Sequence, residues 1–482
     1  MRRRRADAEL NYSRIVAAAA GLLEDDPSPS IDEIAVAAGI ARATVYRHFS
    51  SRNDLLRVAR RQAQDQHDGS STPDASPTRG EDGRGPVDAA AVLDEIPPHL
   101  VGEQIVAEAR RLSGVASAAL YLVDIDGSRL RRFAGSPDFP PELTAPLAVG
   151  PEIPLEGLAN LRRSVAEELP GCVPSPILLR GRAIGLLLAV GADPAELAQL
   201  AHQAASAIGP AEGCSDVLAQ CRGRKPITAA GEMQQDLLPP RIAQINGASL
   251  AGNVLPGYDV GGDWFDYAEN FDGSWLAVAD ATGIGPRAAS LAALALGALR
   301  AARRNDATHE EAVGAVDEAV RAVNDDGSVV TAIVGRWHGP SATFSWINCG
   351  HPPPAIVDAD GTLTALSASA GSPLGIRGPT DAWTINRLRI ADDQRLILYS
   401  DGVIERRAQN GSPFGLRGIR TAAAQASSSS PAATVNAIEQ AIINHGAAPL
   451  QDDATLLVLA PQGRPTSSRT RSSAAATRTT DA

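Results

Sequence analysis

The chain has 482 residues, more than one hydrophobic core ordinarily supports, and its 44% apolar content is that of a folding protein, so two to four domains are expected. A formal net charge of −12 excludes a protein that coats nucleic acid with its whole surface, and no apolar run reaches the roughly 18 residues that span a bilayer. Arg2 to Arg5 are followed at once by acidic and polar residues rather than the apolar stretch of a signal peptide, and Cys172, Cys214, Cys221 and Cys349 form no C-x-x-C pair. The expected setting is cytoplasmic, with reduced thiols and no membrane partner.

Residues 1–66 read as helical and arginine-rich. Ser30 followed by Glu33 is a capping box, which predicts a helix starting at Ile31. Gly39 is expected to end it, and a second helix to begin near Ala41. Two short helices joined by a tight glycine turn form a helix-turn-helix, whose second helix carries Arg42, Thr44, Tyr46, Arg47 and His48. IAVAAGIARATVYRHF, followed by SSRNDLL, resembles the N-terminal domain of TetR-type repressors. The resemblance implies that Tyr46, His48 and Arg52 touch phosphates, with Arg42 and Thr44 nearer the bases. Such repressors bind as dimers through a helical C-terminal domain that this sequence lacks. A lone helix-turn-helix would bind weakly, through phosphate charge that salt screens.

Residues 67–86, including DGSSTPDASPTRGEDGRG, are too polar to bury a core and read as a disordered linker. In the middle stretch, 87–210, an amphipathic helix is expected at 101–112 and a strand at 115–124, closed by a turn at Asp126-Gly127. Segments 177–179 and 183–190 bracket Arg180-Gly181 as a hairpin, and a helix follows at 195–208. The order of helix, hairpin, variable centre, hairpin and helix resembles a GAF domain, an α+β sensor of a class that binds small molecules or dimerises. His99, His202 and Cys172 stand alone and read as packing or surface residues.

The largest stretch, 227–461, places acidic residues where buried strands end. Asp263 lies in VGGDWFD. Asp280 closes the apolar run 275–279 ahead of Thr282, Gly283 and Gly285. Asp401 follows the run 396–399 and precedes Gly402, and Asp452 and Asp453 introduce the run 454–459. Any one Asp-Gly after a strand reads most simply as a turn. Several carboxylates converging beside glycines would instead repel one another unless hard cations such as Mg²⁺ or Mn²⁺ neutralise them. Two such ions can acidify a water and hold the oxygens of a phosphoryl group.

In order, MQQDLLP (233–239), GGDWFD (261–266), DATGIG (280–285), NCGHPPP (348–354), SPLG (372–375), YSDGVIE (399–405) and DDATLLV (452–458) resemble the PPM family of metal-dependent protein phosphatases, in its bacterial SpoIIE-type branch. The resemblance implies a β-sandwich with helices on both sides (α/β/β/α layers) and a site for two Mn²⁺ or Mg²⁺ ions. Asp280 would bridge both ions, the Ala281 carbonyl would complete one sphere, and Asp401 and Asp452 would hold the second ion. Asp263 would bind or orient from a facing strand. Asp453 and Asp266 would support from behind, and Asn348 and His351 would shape the adjoining loop. Many relatives carry histidine where this chain has Ile284, so no general acid is assigned there. The function so implied is dephosphorylation of a phosphoserine or phosphothreonine protein of the anti-sigma factor antagonist type. The GAF-like region would gate it, in a homodimer. The rival reading is a DNA-bound regulator in which the phosphatase domain serves as sensor or scaffold. Residues 462–482, mostly Ser, Thr, Arg and Ala, are expected to be disordered.

Overall fold

A computed structural model of the chain describes residues 14–23, 29, 31–40, 45, 55, 59, 87–223, 228–256, 261–323, 327–367, 370–376, 382–426, 430–446 and 448–462. The chain divides into two compact units, Met1–Gly83 and Arg84–Ala482.

In the first unit, helices α1 (14–22) and α2 (Ile31–Ala38) bury Ile15, Val16, Ala19, Ile31, Ile34 and Ala38 together with Val45, Leu55 and Ala59. Gly39 has φ +65°, and its N–H and that of Ile40 turn back to the carbonyls of Val36 and Ala35, the left-handed stop expected of glycine. The Arg14 guanidinium donates to the Ala38 carbonyl at 2.7 Å and so caps the same helix end. The expected DNA-contacting residues Arg42, Thr44, Tyr46, Arg47, His48 and Arg52 lie outside the described residues.

The second unit opens with α3 (Val87–Glu95) and α4 (Val101–Arg111). Strands β1 (Ser117–Val123), β2 (Arg129–Gly135), β3 (Glu142–Thr144) and β4 (Ile153–Pro154) follow, then α5 (Leu158–Glu168), β5 (Cys172–Leu179), β6 (Arg182–Val190), α6 (Pro194–Glu212) and α7 (Val217–Arg222). The sheet order is β3-β2-β1-β6-β4, with β5 also on β6. Alternation along β1 sends Ala118, Leu120 and Leu122 towards α4 and α6, and Ala119, Tyr121 and Val123 towards α5. Arg180 (φ +47°) and Gly181 (φ +84°) make the two-residue hairpin turn between β5 and β6. The packed region runs past 210: α7 buries Leu218 in the same core. The sequence hid this because α7 is one short helix flanked by glycines.

Helix α8 (Ala229–Leu237) leads into strands β7 (Ile242–Ile245), β8 (Ala248–Leu255), β9 (Trp264–Asn270) and β10 (Gly273–Ala281). Helices α9 (Gly285–Arg304) and α10 (His309–Ala322) precede β11 (Val330–His338), β12 (Thr343–Cys349), β13 (Ala355–Val357), β14 (Leu363–Ala365), β15 (Ala370–Gly371), β16 (Asn386–Arg389) and β17 (Arg395–Tyr399). The chain ends with α11 (Asp401–Glu405), α12 (Gly415–Ala423), α13 (Pro431–His445) and β18 (Ala454–Pro461).

Two sheets result, β15-β12-β11-β10-β9 with β16 on β12, and β14-β13-β17-β18-β8-β7. Their facing sides share a core of Phe265, Leu276, Val278, Trp337, Phe344, Leu398, Leu457 and Leu459. The outer face of the first sheet packs on α9 and α10 through Trp275, Ala277, Leu296 and Val316. The outer face of the second packs on α12 and α13 through Leu456, Val458, Ile419 and Ile438. Helix, sheet, sheet and helix are therefore layered, which is why β10 and β18 read as continuous apolar runs.

The loop between β3 and β4 reaches into this sandwich. Val149 is fully buried in the core with Ile242, Tyr399 and Ile438. The Ala148 carbonyl accepts from Asn436 Nδ2 at 3.0 Å, and Glu156 accepts from Ser430 Oγ. Among the described residues no helix is long and apolar enough to cross a membrane.

Candidate active site

Antiparallel pairing puts the ends of four strands at one edge of the sandwich. Asp263 stands just before β9, and its neighbour Trp264 pairs with Ala279 of β10. Asp280 is the penultimate residue of β10, Asp401 follows β17 as the first residue of α11, and Asp452 and Asp453 precede β18, which pairs with β17. Period-two alternation turns Asp280 to the same side as Leu276 and Val278, and Asp453 and Thr455 to the same side as Leu457, between the sheets. Asp266 falls on the other side of β9. There Arg300 Nη2, at 2.9 Å, and Arg303 bind its carboxylate, which is 1% exposed, and lock α9 to the strand.

Close approach of backbone explains the glycines. A Cβ on Gly262 would stand 2.5 Å from the Ala281 carbonyl oxygen, one on Gly261 2.9 Å from Asp453 Oδ2, and one on Gly402 1.9 Å from the Asp453 carbonyl oxygen. Asp453 Oδ2 accepts from Gln234 Nε2 at 2.5 Å and from the Gly261 N–H at 3.0 Å. Gln234 Nε2 also donates to the Asp263 carbonyl at 3.0 Å. Thr455 Oγ1 donates to Asp263 Oδ2 at 2.6 Å, while the Thr455 N–H donates to Ser400 Oγ at 3.0 Å. Gln234, Ser400 and Thr455 were not singled out from the sequence; Gln234 lies within MQQDLLP, but a helical glutamine carries no distinguishing periodicity.

Burial, then the Asp401 and Asp452 charges, push the Asp280 carboxyl up to about 7, against a hydrogen bond with Asp263. Asp263 is held well above its ordinary value by burial, then by Asp280 and Asp453, opposed by Thr455 and Ser400. Asp401 is raised by burial and by Asp452. The carboxylates therefore sense one another, although among the described residues no three acidic, histidine or cysteine groups close into a ready-made ion cage. The fit to a cation rests on the oxygen-only donor set, on this mutual repulsion, and on Asp401 Oδ1, which is buried and makes no hydrogen bond. Asp452 is exposed at the rim, and its Oδ1 accepts from the Asp453 N–H at 2.9 Å.

The loop after β10 is held by Thr282, whose Oγ1 accepts from the Val329 N–H at 2.8 Å and donates to its carbonyl at 3.1 Å. Gly283 and Gly285 have φ +104° and +73°. Ile284 between them is 58% exposed and has no proton to give. Beside Thr282 a groove of about 240 Å³ runs along Arg287, Ser290, Leu291 and Leu294 towards Val323 and Ser328. Asn348 closes the next loop by donating to the His351 carbonyl and accepting its N–H, both at 2.9 Å. His351 Nδ1 lies 2.8 Å from Thr331 Oγ1, and burial holds the imidazole neutral, down to about 3.

Residues 272–462 match the family model described as stage II sporulation protein E (SpoIIE). The C-terminal region is a serine/threonine phosphatase domain, similar over these residues to the SpoIIE family. Residues 15–59 match the model of bacterial regulatory proteins of the tetR family, so the chain joins a TetR-type N-terminal domain to the phosphatase domain. The phosphoserine phosphatase RsbU of Bacillus subtilis (strain 168) is 22% identical over 261 residues, covering 54% of this chain and 73% of the relative. The HTH-type transcriptional repressor LfrR of Mycolicibacterium smegmatis is 40% identical over 76 residues, covering 16% of this chain and 37% of the repressor. Among solved structures, the RsbU and RsbW domains of Rv1364c from Mycobacterium tuberculosis align with TM-score 0.40 and 28% identity over 45% of this chain and 62% of that one. The chain thus spans only part of each of these proteins.

Proposed function

We propose that the protein hydrolyses phosphoserine or phosphothreonine on a protein substrate of the anti-sigma factor antagonist type. The observation that carries this reading is the convergence of Asp263, Asp280, Asp401 and Asp452 at one sandwich edge, with Asp401 Oδ1 buried and unbonded. Asp280, the Ala281 carbonyl, Asp401 and Asp452 would hold the two ions, with Asp280 shared between them, and Asp263 would bind or orient from β9. Bound there, Mn²⁺ or Mg²⁺ would offset the phosphoryl charge and acidify a water. Thr455 orients Asp263, Gln234 and Gly261 hold Asp453, and Gly262 lets β9 approach the Ala281 carbonyl. With Ile284 aprotic and His351 buried and neutral, the leaving oxygen takes its proton from solvent. The β1–β6 domain, read as a GAF-like sensor, gates this activity through α8, in a homodimer.

The test is hydrolysis of p-nitrophenyl phosphate and a phosphoserine peptide by the full chain, with and without Mn²⁺, for wild type and Asp280→Ala. Metal-dependent turnover lost in the variant is expected; metal-independent turnover, or none, would sink the reading.

The match of residues 15–59 to the tetR model favours a second role, DNA binding through Arg42, Thr44, Tyr46, Arg47, His48 and Arg52. A gel shift on genomic fragments that shows no salt-resistant specific complex excludes it.

A further inference from the structure

A buried chain of charged and polar groups joins the β1–β6 domain to the carboxylate site. Glu152, beside β4 and 6% exposed, forms an ion pair with Arg182 of β6, its Oε1 2.9 Å from Nε, and through Oε2 accepts from the Ile242 N–H at 2.8 Å. The residue before Ile242 is Arg241, also 6% exposed. Its guanidinium donates to the Pro239 carbonyl at 2.7 Å and to Gln235 Oε1 at 2.8 Å, and lies 5.9 Å from the Phe265 ring centre. A buried guanidinium needs nearby negative charge, which Glu152 supplies, joined by Glu439 where it is ionised. Gly150 backs onto the same side chain, since a Cβ there would stand 3.1 Å from Arg241 Cγ. Gln235 is adjacent to Gln234, whose Nε2 binds the Asp263 carbonyl and Asp453 Oδ2. Phe265 is two residues from Asp263 on the same strand start.

We propose that Glu152 is a positioning residue for the phosphatase site, acting through Arg241 and Gln235 on Gln234 and so on Asp453 and Asp263. The proposal rests on the phosphatase reading and names residues by which the neighbouring domain reaches the carboxylates. Without the Glu152 charge, Arg241 is left with Glu439, whose ionisation burial opposes, as its counter-charge. Its guanidinium then no longer fixes Gln235, and the end of α8 that carries Gln234 shifts against β9 and the start of β18.

The experiment uses the full chain with Glu152→Gln, Glu152→Asp, Gln235→Leu and the Glu152→Gln/Gln235→Leu pair. Mn²⁺ binding is read directly from the electron paramagnetic resonance of free Mn²⁺, beside the urea midpoint and the Mn²⁺ dependence of p-nitrophenyl phosphate hydrolysis. Glu152→Gln and Gln235→Leu each weaken Mn²⁺ binding by about five-fold or more, the size of a typical coupling between sites. The pair is no weaker than the worse single variant, since both break one path, and Glu152→Asp recovers part of the loss. Gln235 is half-exposed, so its variant serves if Glu152→Gln does not fold. Folded variants that bind Mn²⁺ as wild type does, whatever their urea midpoints, overturn the proposal alone. A wild type that binds no Mn²⁺ overturns the phosphatase reading and the proposal with it.

Discussion

Thr455→Val removes one hydroxyl while keeping the side chain's shape, so it isolates the 2.6 Å bond to Asp263 Oδ2. Thr455 is fully buried and Asp263 is 2% exposed, so water cannot replace the lost donor. Burial and the neighbouring carboxylates hold Asp263 well above its ordinary value, which favours its protonated form until a cation binds. The bond is then between neutral groups and is worth about 1 kcal/mol, whereas a bond to the ionised carboxylate is worth about 2 kcal/mol. Cation binding requires the ionised form, so the variant should lose about 1 kcal/mol more stability with Mn²⁺ than without it. That difference corresponds to about five-fold weaker Mn²⁺ binding. Urea unfolding with and without saturating Mn²⁺, together with a direct Mn²⁺ titration, measures both quantities. An equal loss in the two conditions would show that Asp263 does not change its ionisation on Mn²⁺ binding, and would refute this reasoning. No loss in either would show that the hydroxyl does not hold the carboxylate.

Gly402→Ala puts a Cβ 1.9 Å from the Asp453 carbonyl oxygen and must displace Asp401 or Asp453; phosphoserine-peptide turnover should fall about 100-fold, the scale of a one-ångström misplacement, and wild-type turnover would contradict this. Arg303→Met leaves the 1% exposed Asp266 with Arg300 alone and should cost about 3 kcal/mol in urea unfolding, most of it recovered by adding Asp266→Asn; a loss that persists in the pair would assign the effect to packing. Burial raises Glu439 from 4.5 to about 7, so the folded state holds a proton that the unfolded chain releases. Stability should therefore fall by at most about 3 kcal/mol as pH rises from 4.5 through 7 and level off above, and Glu439→Gln should flatten that slope; an unchanged slope in the variant would assign the titration to another group.

The sandwich strands were legible because β10, β17 and β18 are buried on both faces and so appear as unbroken apolar runs. The glycines beside the aspartates were legible too, since backbone approach leaves no other choice at 262 and 402. What the sequence could not show is pairing across distance. Gln234 meets Asp453 from 219 positions away, and Asn253 meets Glu439 from 186. Asp263 and Asp266 look alike in GGDWFD, yet three residues along a strand reverse the face, sending one between the sheets and the other to two arginines of α9. Glu152 and Arg241 are ordinary charges in the sequence. Only the closeness of the two sheets makes them buried and interdependent.

Val149 has a consequence for how such a chain can be rearranged. A residue contributed from between β3 and β4 fills the core under β17 and β18, next to Ile242 and Tyr399. Recombination at the linear junction ahead of α8 would hand the catalytic half to a new neighbour with an apolar hole and with Asn436 and Ser430 stripped of their acceptors. The inherited unit is therefore the sandwich together with residues 148–156. A chimera would have to bring a loop of that shape with it, or evolve a larger side chain on α13 to close the gap.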